Sequence, residues 1–377
     1  MNIIDYVKNS GDETFLDRKL NEADAFVFAS LAFARFEDKN IIPTFKEPDK
    51  KIYIHEIPDE FIDEICQSEA YGKDTASLIR AMKEKPRYKD ISLQYQFSVI
   101  DEELTEQIYA ITLNIPNVGY FISFRGTDGT TIGWSENFKV TINQVSAAQL
   151  DSIEYVNIVH GLIGDTPFML GGHSKGGNLA FFASLFVDQK IQNLIVKTYF
   201  FEGQGLPFKF YEKEQYKRIA DRIVNIVPRD SITGEFFYTP KHPLVVFSLG
   251  KGLQQHNQFN WQIKGNNFYF INERNPNARA FHRASKIWLK KGNKENFDRL
   301  IKLFTTITYI EGNENFISTS FTFSKFFSRF KKFRKELKFK ERVSFYFFAL
   351  RMYLIYRDSE KYYKKKDKEI HNYKIHS

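Results

Sequence analysis

A single cysteine, Cys66, excludes an internal disulfide framework and reads as an ordinary half-buried residue. No stretch of about 18 apolar residues occurs, so no spanning helix is expected. The opening residues, Met1-Asn2-Ile3-Ile4-Asp5-Tyr6, lack a basic segment followed by an apolar one. No signal peptide is therefore expected, and the default placement is cytoplasmic. No internal repeat of useful period is evident.

What is present suits a packed core: 377 residues, 42% hydrophobic, with three tryptophans. That length accommodates one large α/β domain with additions, or two domains. The net charge of +8 is unevenly placed, because residues 321–377 hold 17 Lys and Arg against 6 Asp and Glu. The remainder carries 37 against 40, so the basic character belongs to the tail.

Along the chain, three regions separate. Residues 1–89 read as a mainly helical layer that covers one sheet face. Asn21 to Asp24 leads into the apolar helix Ala25–Phe33, and Ile57–Gln67 and Thr75–Lys83 form shorter helices. Residues 90–275 read as the core. Tyr95–Ile100, Gln107–Leu113 and Gly119–Phe124 are β-branched and aromatic runs divided by turns. Gln149–Gly161 is helical, and Leu194–Phe201, Arg222–Val227 and Leu244–Leu249 are short apolar strands. Strands alternating with helices predict a mostly parallel α/β sheet with functional groups in loops at its carboxyl ends. Residues 276–377 read as a helical extension, with helices over Asn277–Lys290 and Lys294–Thr308. Phe321 to Lys368 then alternates aromatics with Lys and Arg.

The core is organised around Pro167-Phe168-Met169-Leu170-Gly171-Gly172-His173-Ser174-Lys175-Gly176-Gly177-Asn178-Leu179-Ala180. Gly172-x-Ser174-x-Gly176 between an apolar strand and a helix fits a nucleophile elbow, a tight turn that exposes one serine hydroxyl. The helix behind it points N–H groups at negative charge developing above the serine. Such a serine needs a base, and that base needs a carboxylate to hold its tautomer. Three histidines follow before the tail. His256 is favoured, since it lies in a loop just after the strand ending at Leu249. His242 reads as a surface residue between prolines, and His282 lies within a helix. For the acid, Asp230 follows the strand Arg222–Val227, with a turn or cap residue as the competing interpretation. Asp221 sits at the wrong end of that strand, and Asp188 ends the elbow helix. The backbone N–H groups of Lys175 and Thr127 are the expected oxyanion donors. Around Thr127, a plain glycine turn with an Arg125–Asp128 ion pair is the alternative. The Lys175 side chain reads as solvated or as an anion contact, and His173 as a packing residue.

Phe124-Arg125-Gly126-Thr127 with Trp134, followed by Gly-His-Ser-Lys-Gly-Gly-Asn-Leu-Ala, resembles the class 3 (fungal-type) lipases. More closely, the chain resembles a bacterial lipase-like branch of the α/β-hydrolases over residues 1–265. That likeness takes in Asn2 to Val7, Phe201-Glu202-Gly203-Gln204-Gly205, Val227–Gly234, and Gln255-His256 ahead of Trp261. It implies an α/β-hydrolase fold with Ser174 as nucleophile, Asp230 as acid, His256 as base, and Thr127 and Lys175 as oxyanion donors. Relatives often carry Asp-Gly-Pro-Gly where this chain has Glu202-Gly203-Gln204-Gly205.

The expected function is serine-dependent cleavage of an acyl ester or lipid, needing no metal or cofactor. Lipase, phospholipase, thioesterase and small-ester esterase all stay open, as does oligomeric state. The alternative is a non-catalytic α/β-hydrolase scaffold binding membrane or protein through its tail. For residues 321–377 three interpretations stand: helices packed on the core, peripheral attachment to the membrane inner surface, or nucleic-acid contact. No recognised module or zinc spacing supports the last.

Overall fold

The structure of the chain, a computed structural model, describes residues 1–67, 71–101, 103, 106–127, 145–231, 234, 238–240, 242–291, 295, 331, 335 and 337–376. Two asparagines start the N-terminal layer. Asn2 and Asn21 accept the first free amides of α1 (Ile3–Ser10) and α2 (Glu22–Leu31), and Asp5 and Asp24 return the bond to each cap. α3 (Asp59–Cys66) and α4 (Gly72–Glu84) complete the layer. From Ala23 to Leu31, α2 is buried on every side, as befits a helix sunk in a core. Its buried Asp24 carboxylate accepts from Arg87 (2.6 and 2.9 Å), Tyr6 (2.9 Å) and Tyr88 (2.8 Å). Burial first, and then the Asp24 charge, push the Tyr6 phenol up to about 12. Cys66 is fully buried rather than half-buried, since it belongs to the face of α3 that closes this layer.

The sheet begins with β1 (Ile52–Tyr53), β2 (Ser92–Asp101), β3 (Glu106–Ile115) and β4 (Gly119–Phe124), all paired antiparallel. It continues in parallel through β5 (Phe168–His173), β6 (Ile195–Phe201), β7 (Ile223–Pro228) and β8 (Leu244–Val246). The short hairpin of β9 (Ile263–Lys264) and β10 (Asn267–Phe268) leads to β11 (Phe270–Ile271), antiparallel on β8. Helices cross between the parallel strands: α5 (Ala147–Ile163), α6 (Lys175–Phe186), α7 (Gln189–Leu194) and α8 (Glu214–Ile219).

Alternation along the central strands sorts their side chains onto two covered faces. Phe121, Met169, Tyr199 and Phe201 join the core beneath α1, α2 and α4. Ile122, Leu170 and Phe200 join the core beneath α5 and α6. A mixed sheet with a parallel centre, helices on both faces and a serine turn after a central strand is the α/β-hydrolase arrangement. Beyond it, α9 (Pro276–Lys291) and the long α10 (Phe339–His376) pack together. The described part of the tail is mainly the long helix α10, and Lys331 and Lys335 ahead of it are helical too. The helix expected over Lys294–Thr308 lies almost wholly outside the described residues. No helix among those described is long and apolar enough to cross a membrane.

Candidate active site

β5 ends at His173 and α6 starts at Lys175, so the whole reversal of direction falls on Ser174. Ser174 takes φ 59°, a left-handed conformation that an L-residue holds only under constraint from its surroundings. The neighbours must be small. A Cβ on Gly172 would collide with the Gly176 backbone, and one on Gly176 with the Phe124 carbonyl of β4. The Ser174 amide donates to the Phe201 carbonyl at the end of β6 (2.9 Å). The turn is therefore clamped between both neighbouring strands.

His256 closes a 3₁₀ turn, Gly252–His256. Trp261 fixes that turn from beneath by donating its indole N–H to the Gln255 carbonyl (2.8 Å). His256 Nε2 lies 3.1 Å from Ser174 Oγ, and His256 Nδ1 lies 2.9 Å from Glu202 Oε2. A carboxylate can only accept, so Nδ1 carries the proton, and Nε2 is left to accept from the serine hydroxyl. Glu202 is fully buried and, like Ser174, has a positive φ, 45°. Its amide donates to the Ile226 carbonyl of β7 (2.9 Å). Asn178, one turn into α6, steadies the following loop. Its Nδ2 donates to the Gln204 carbonyl (2.8 Å), while its Oδ1 accepts from Gln149 Nε2 (2.8 Å).

Asp230, expected to hold the histidine, does not reach it. Its carboxylate accepts from Asn275 Nδ2 and from Gln255 Nε2 (3.2 Å), and its amide donates to Gln255 Oε1 (2.8 Å). Asp230 thus braces the residue before His256 and ties it to the start of α9. The physical reason is position: β7 lies two strands from β5, whereas Glu202 directly follows β6, the strand beside it. Glu202 is the residue missed by sequence reasoning. Its local signal is an acid directly after an apolar strand, followed by glycine.

Lys175 opens α6, so its backbone N–H points out of the helix N-terminus beside Ser174. Its side chain is buried rather than solvated, because Nζ donates to the Gln107 carbonyl on β3 (2.5 Å). Thr127 follows Gly126, where a Cβ would strike the His173 carbonyl and the Phe33 ring, and so the loop runs against the serine turn. Arg125 anchors that loop. It donates to the Ala32 and Ala34 carbonyls (both 2.6 Å) and pairs with Glu37. Asp128, the alternative partner for Arg125, lies outside the described residues, as does Trp134. His242 is exposed, and His282 lies on α9.

His173 is buried, with Phe26, Phe33 and Trp261 around it and its ring centroid 4.6 Å from that of His256. Burial above all, with the His256 charge in second place, holds His173 well below the usual imidazole range. Among the described residues, His173, Glu202 and His256 form a group able to hold a metal, with ligand atoms within 4.8 Å of one another. His256 already engages Glu202 through one ring nitrogen and Ser174 through the other, so a metal there would displace the hydrogen bond on whichever nitrogen bound it.

A serine, a histidine and a carboxylate in one hydrogen-bonded line can draw a proton off the serine as it attacks an electrophile. A family model described as Mbeg1-like matches residues 82–305, more than half of the chain. The chain belongs to the Mbeg1-like family. The Mbeg1-like match runs from α4 past α9, so it holds Ser174, Glu202 and His256 alike. At the level of family the chain is lipase-like, with the fold of the α/β-hydrolases. Among solved structures, a crystal structure of M37 lipase is similar at 12% identity and a TM-score of 0.37, over 56% of this chain and 68% of that one. At that score nothing about the site follows from the likeness. No curated protein matches the sequence.

Proposed function

We propose that this Mbeg1-like chain is a serine hydrolase that cleaves an acyl ester through an acyl-enzyme. The observation that carries the proposal is the line Ser174 Oγ–His256 Nε2 (3.1 Å) and His256 Nδ1–Glu202 Oε2 (2.9 Å). Ser174 Oγ attacks the ester carbonyl as His256 takes its proton. Glu202, unable to donate, holds the ring in the required tautomer and stabilises the imidazolium that forms. The tetrahedral oxyanion is held by the amides of Lys175 and Thr127, each donor being worth about 3 kcal/mol. His256 then returns the proton to the leaving alcohol, and the acyl group stays on Ser174. Water, deprotonated by the same histidine, releases the acid and restores the serine. The substrate class is an acyl ester, with lipid esters included.

Labelling with a fluorophosphonate probe tests this. Wild type should label, Ser174→Ala should not, and His256→Ala should label at a small fraction of the wild-type rate. A folded wild-type protein that stays unlabelled, with and without anionic vesicles, would replace the hydrolase by a non-catalytic scaffold.

A further inference from the structure

The long helix α10 is built back to front for a helix in water. Its inner side packs on α9, with Phe345, Phe348 and Ser359 buried. Trp288 of α9 donates its indole N–H to the Met352 carbonyl (3.1 Å), and Arg279 pairs with Asp367 (2.7 Å). The opposite side should therefore be polar, and over its first half it is apolar. Phe339, Val343, Phe347, Leu350 and Leu354 recur at steps of four and three, which places them on one stripe. Phe339 is 78% exposed, Phe347 69%, and Leu350 and Leu354 53% each. The same stripe then changes character, continuing as Arg357, Lys361 and Lys364, all exposed. Lys340 and Arg351 flank the apolar part and are exposed too.

We infer that this face of α10 is a docking surface for an anionic lipid bilayer. The stripe belongs to a helix that cannot cross a membrane, so its fit is to the interface, lying flat. Aromatic and leucine side chains enter the acyl boundary while the cations beside them meet lipid phosphates, at about 1 kcal/mol for each Lys or Arg near the surface. Charge selects this occupant over a second copy of the chain. Two such faces brought together would oppose tails that each carry 17 Lys and Arg against 6 Asp and Glu. An anionic surface turns the same charge into attraction. The inference does not depend on hydrolysis, since binding is read directly.

The test is flotation of the full chain with vesicles of equal parts phosphatidylcholine and phosphatidylglycerol, against vesicles of phosphatidylcholine alone. Wild type should float with the anionic vesicles and far less with the neutral ones. Phe347→Ser with Leu350→Ser removes apolar surface without touching the α9 side, and should weaken binding at least about tenfold. Arg351→Gln with Lys361→Gln should weaken it about 30-fold, and less at high salt. Both variants should retain wild-type circular dichroism and melting. The inference is overturned if wild type stays unbound, or if the serine variant floats like wild type. It is equally overturned if wild type sediments as a dimer that the serine variant dissolves.

Discussion

Two neighbouring strands of the sheet are each followed by a carboxylate, and the two are put to different uses. Glu202 directly follows β6, is buried, and gives one oxygen to His256 Nδ1. Asp230 follows β7, is half-buried, and spends its oxygens on Gln255 and Asn275. One acts on the imidazole, and the other on the loop that delivers the imidazole. Both occupy a strand end where functional groups gather, so that address alone does not assign a role. What separates them is distance from the elbow strand, and the strained backbone at Glu202 that turns its side chain inward.

Charge removal without loss of shape gives the sharpest test of this difference. Glu202→Gln can still touch His256 but donates where it should accept, and so favours the wrong tautomer. The turnover of an ester substrate should fall about 10⁴-fold. Asp230→Asn should leave turnover within about tenfold of wild type. Equal losses in the two variants, measured as kcat on one substrate, would break the comparison.

A smaller change probes geometry rather than charge. Glu202→Asp keeps the carboxylate but draws it back by one methylene. A misplacement of about 1 Å at such a site costs about 10²-fold, so this variant should fall between wild type and Glu202→Gln. Asp230→Asn should instead show in stability. Losing charge-assisted bonds to Gln255 and Asn275 costs about 1–3 kcal/mol, read as a drop in Tm. A variant with an unchanged Tm would mean that Asp230 does not brace the loop.

Much of this was legible in the sequence, for physical reasons. Strand and helix periods are local, so the parallel core and the helices α2, α3 and α4 could be read from runs of ten residues or so. The meeting of Ser174 and His256 was legible too, because glycines on both sides of a serine and a loop after an apolar strand are local signals. Glu202 was not separable from Asp230, because two strand-end acids satisfy the same chain order and only the sheet decides which is adjacent. The positive φ of Glu202 leaves no trace in a residue that is not glycine. Burial of Lys175 depends on Gln107, 68 residues away, and no local pattern records that. The tail misled in a similar way. Its alternation of aromatics and cations was visible, but which aromatics face outward is set by α9.

The same contrast of use and support extends to two histidines, and yields the smallest expected effect. His256 has a partner on each ring nitrogen, whereas neither nitrogen of His173 has one among the described residues. Burial holds His173 neutral in the fold, while in the unfolded chain it takes up a proton near its ordinary value of 6.5. The unfolded state then binds more protons than the folded state below that value, so stability falls as pH drops through and below 6.5. Above it, both states hold a neutral ring and the contribution is flat. Thermal melts from pH 7.5 down to pH 5 should show Tm declining in wild type, with the slope opening near 6.5. His173→Leu keeps an apolar group among Phe26, Phe33 and Trp261 and removes the titration. It should flatten that slope whatever it does to Tm at pH 7.5. An unchanged slope would mean that His173 reaches a proton in the folded state, and that the space beside His256 is wetter than its aromatic lining implies.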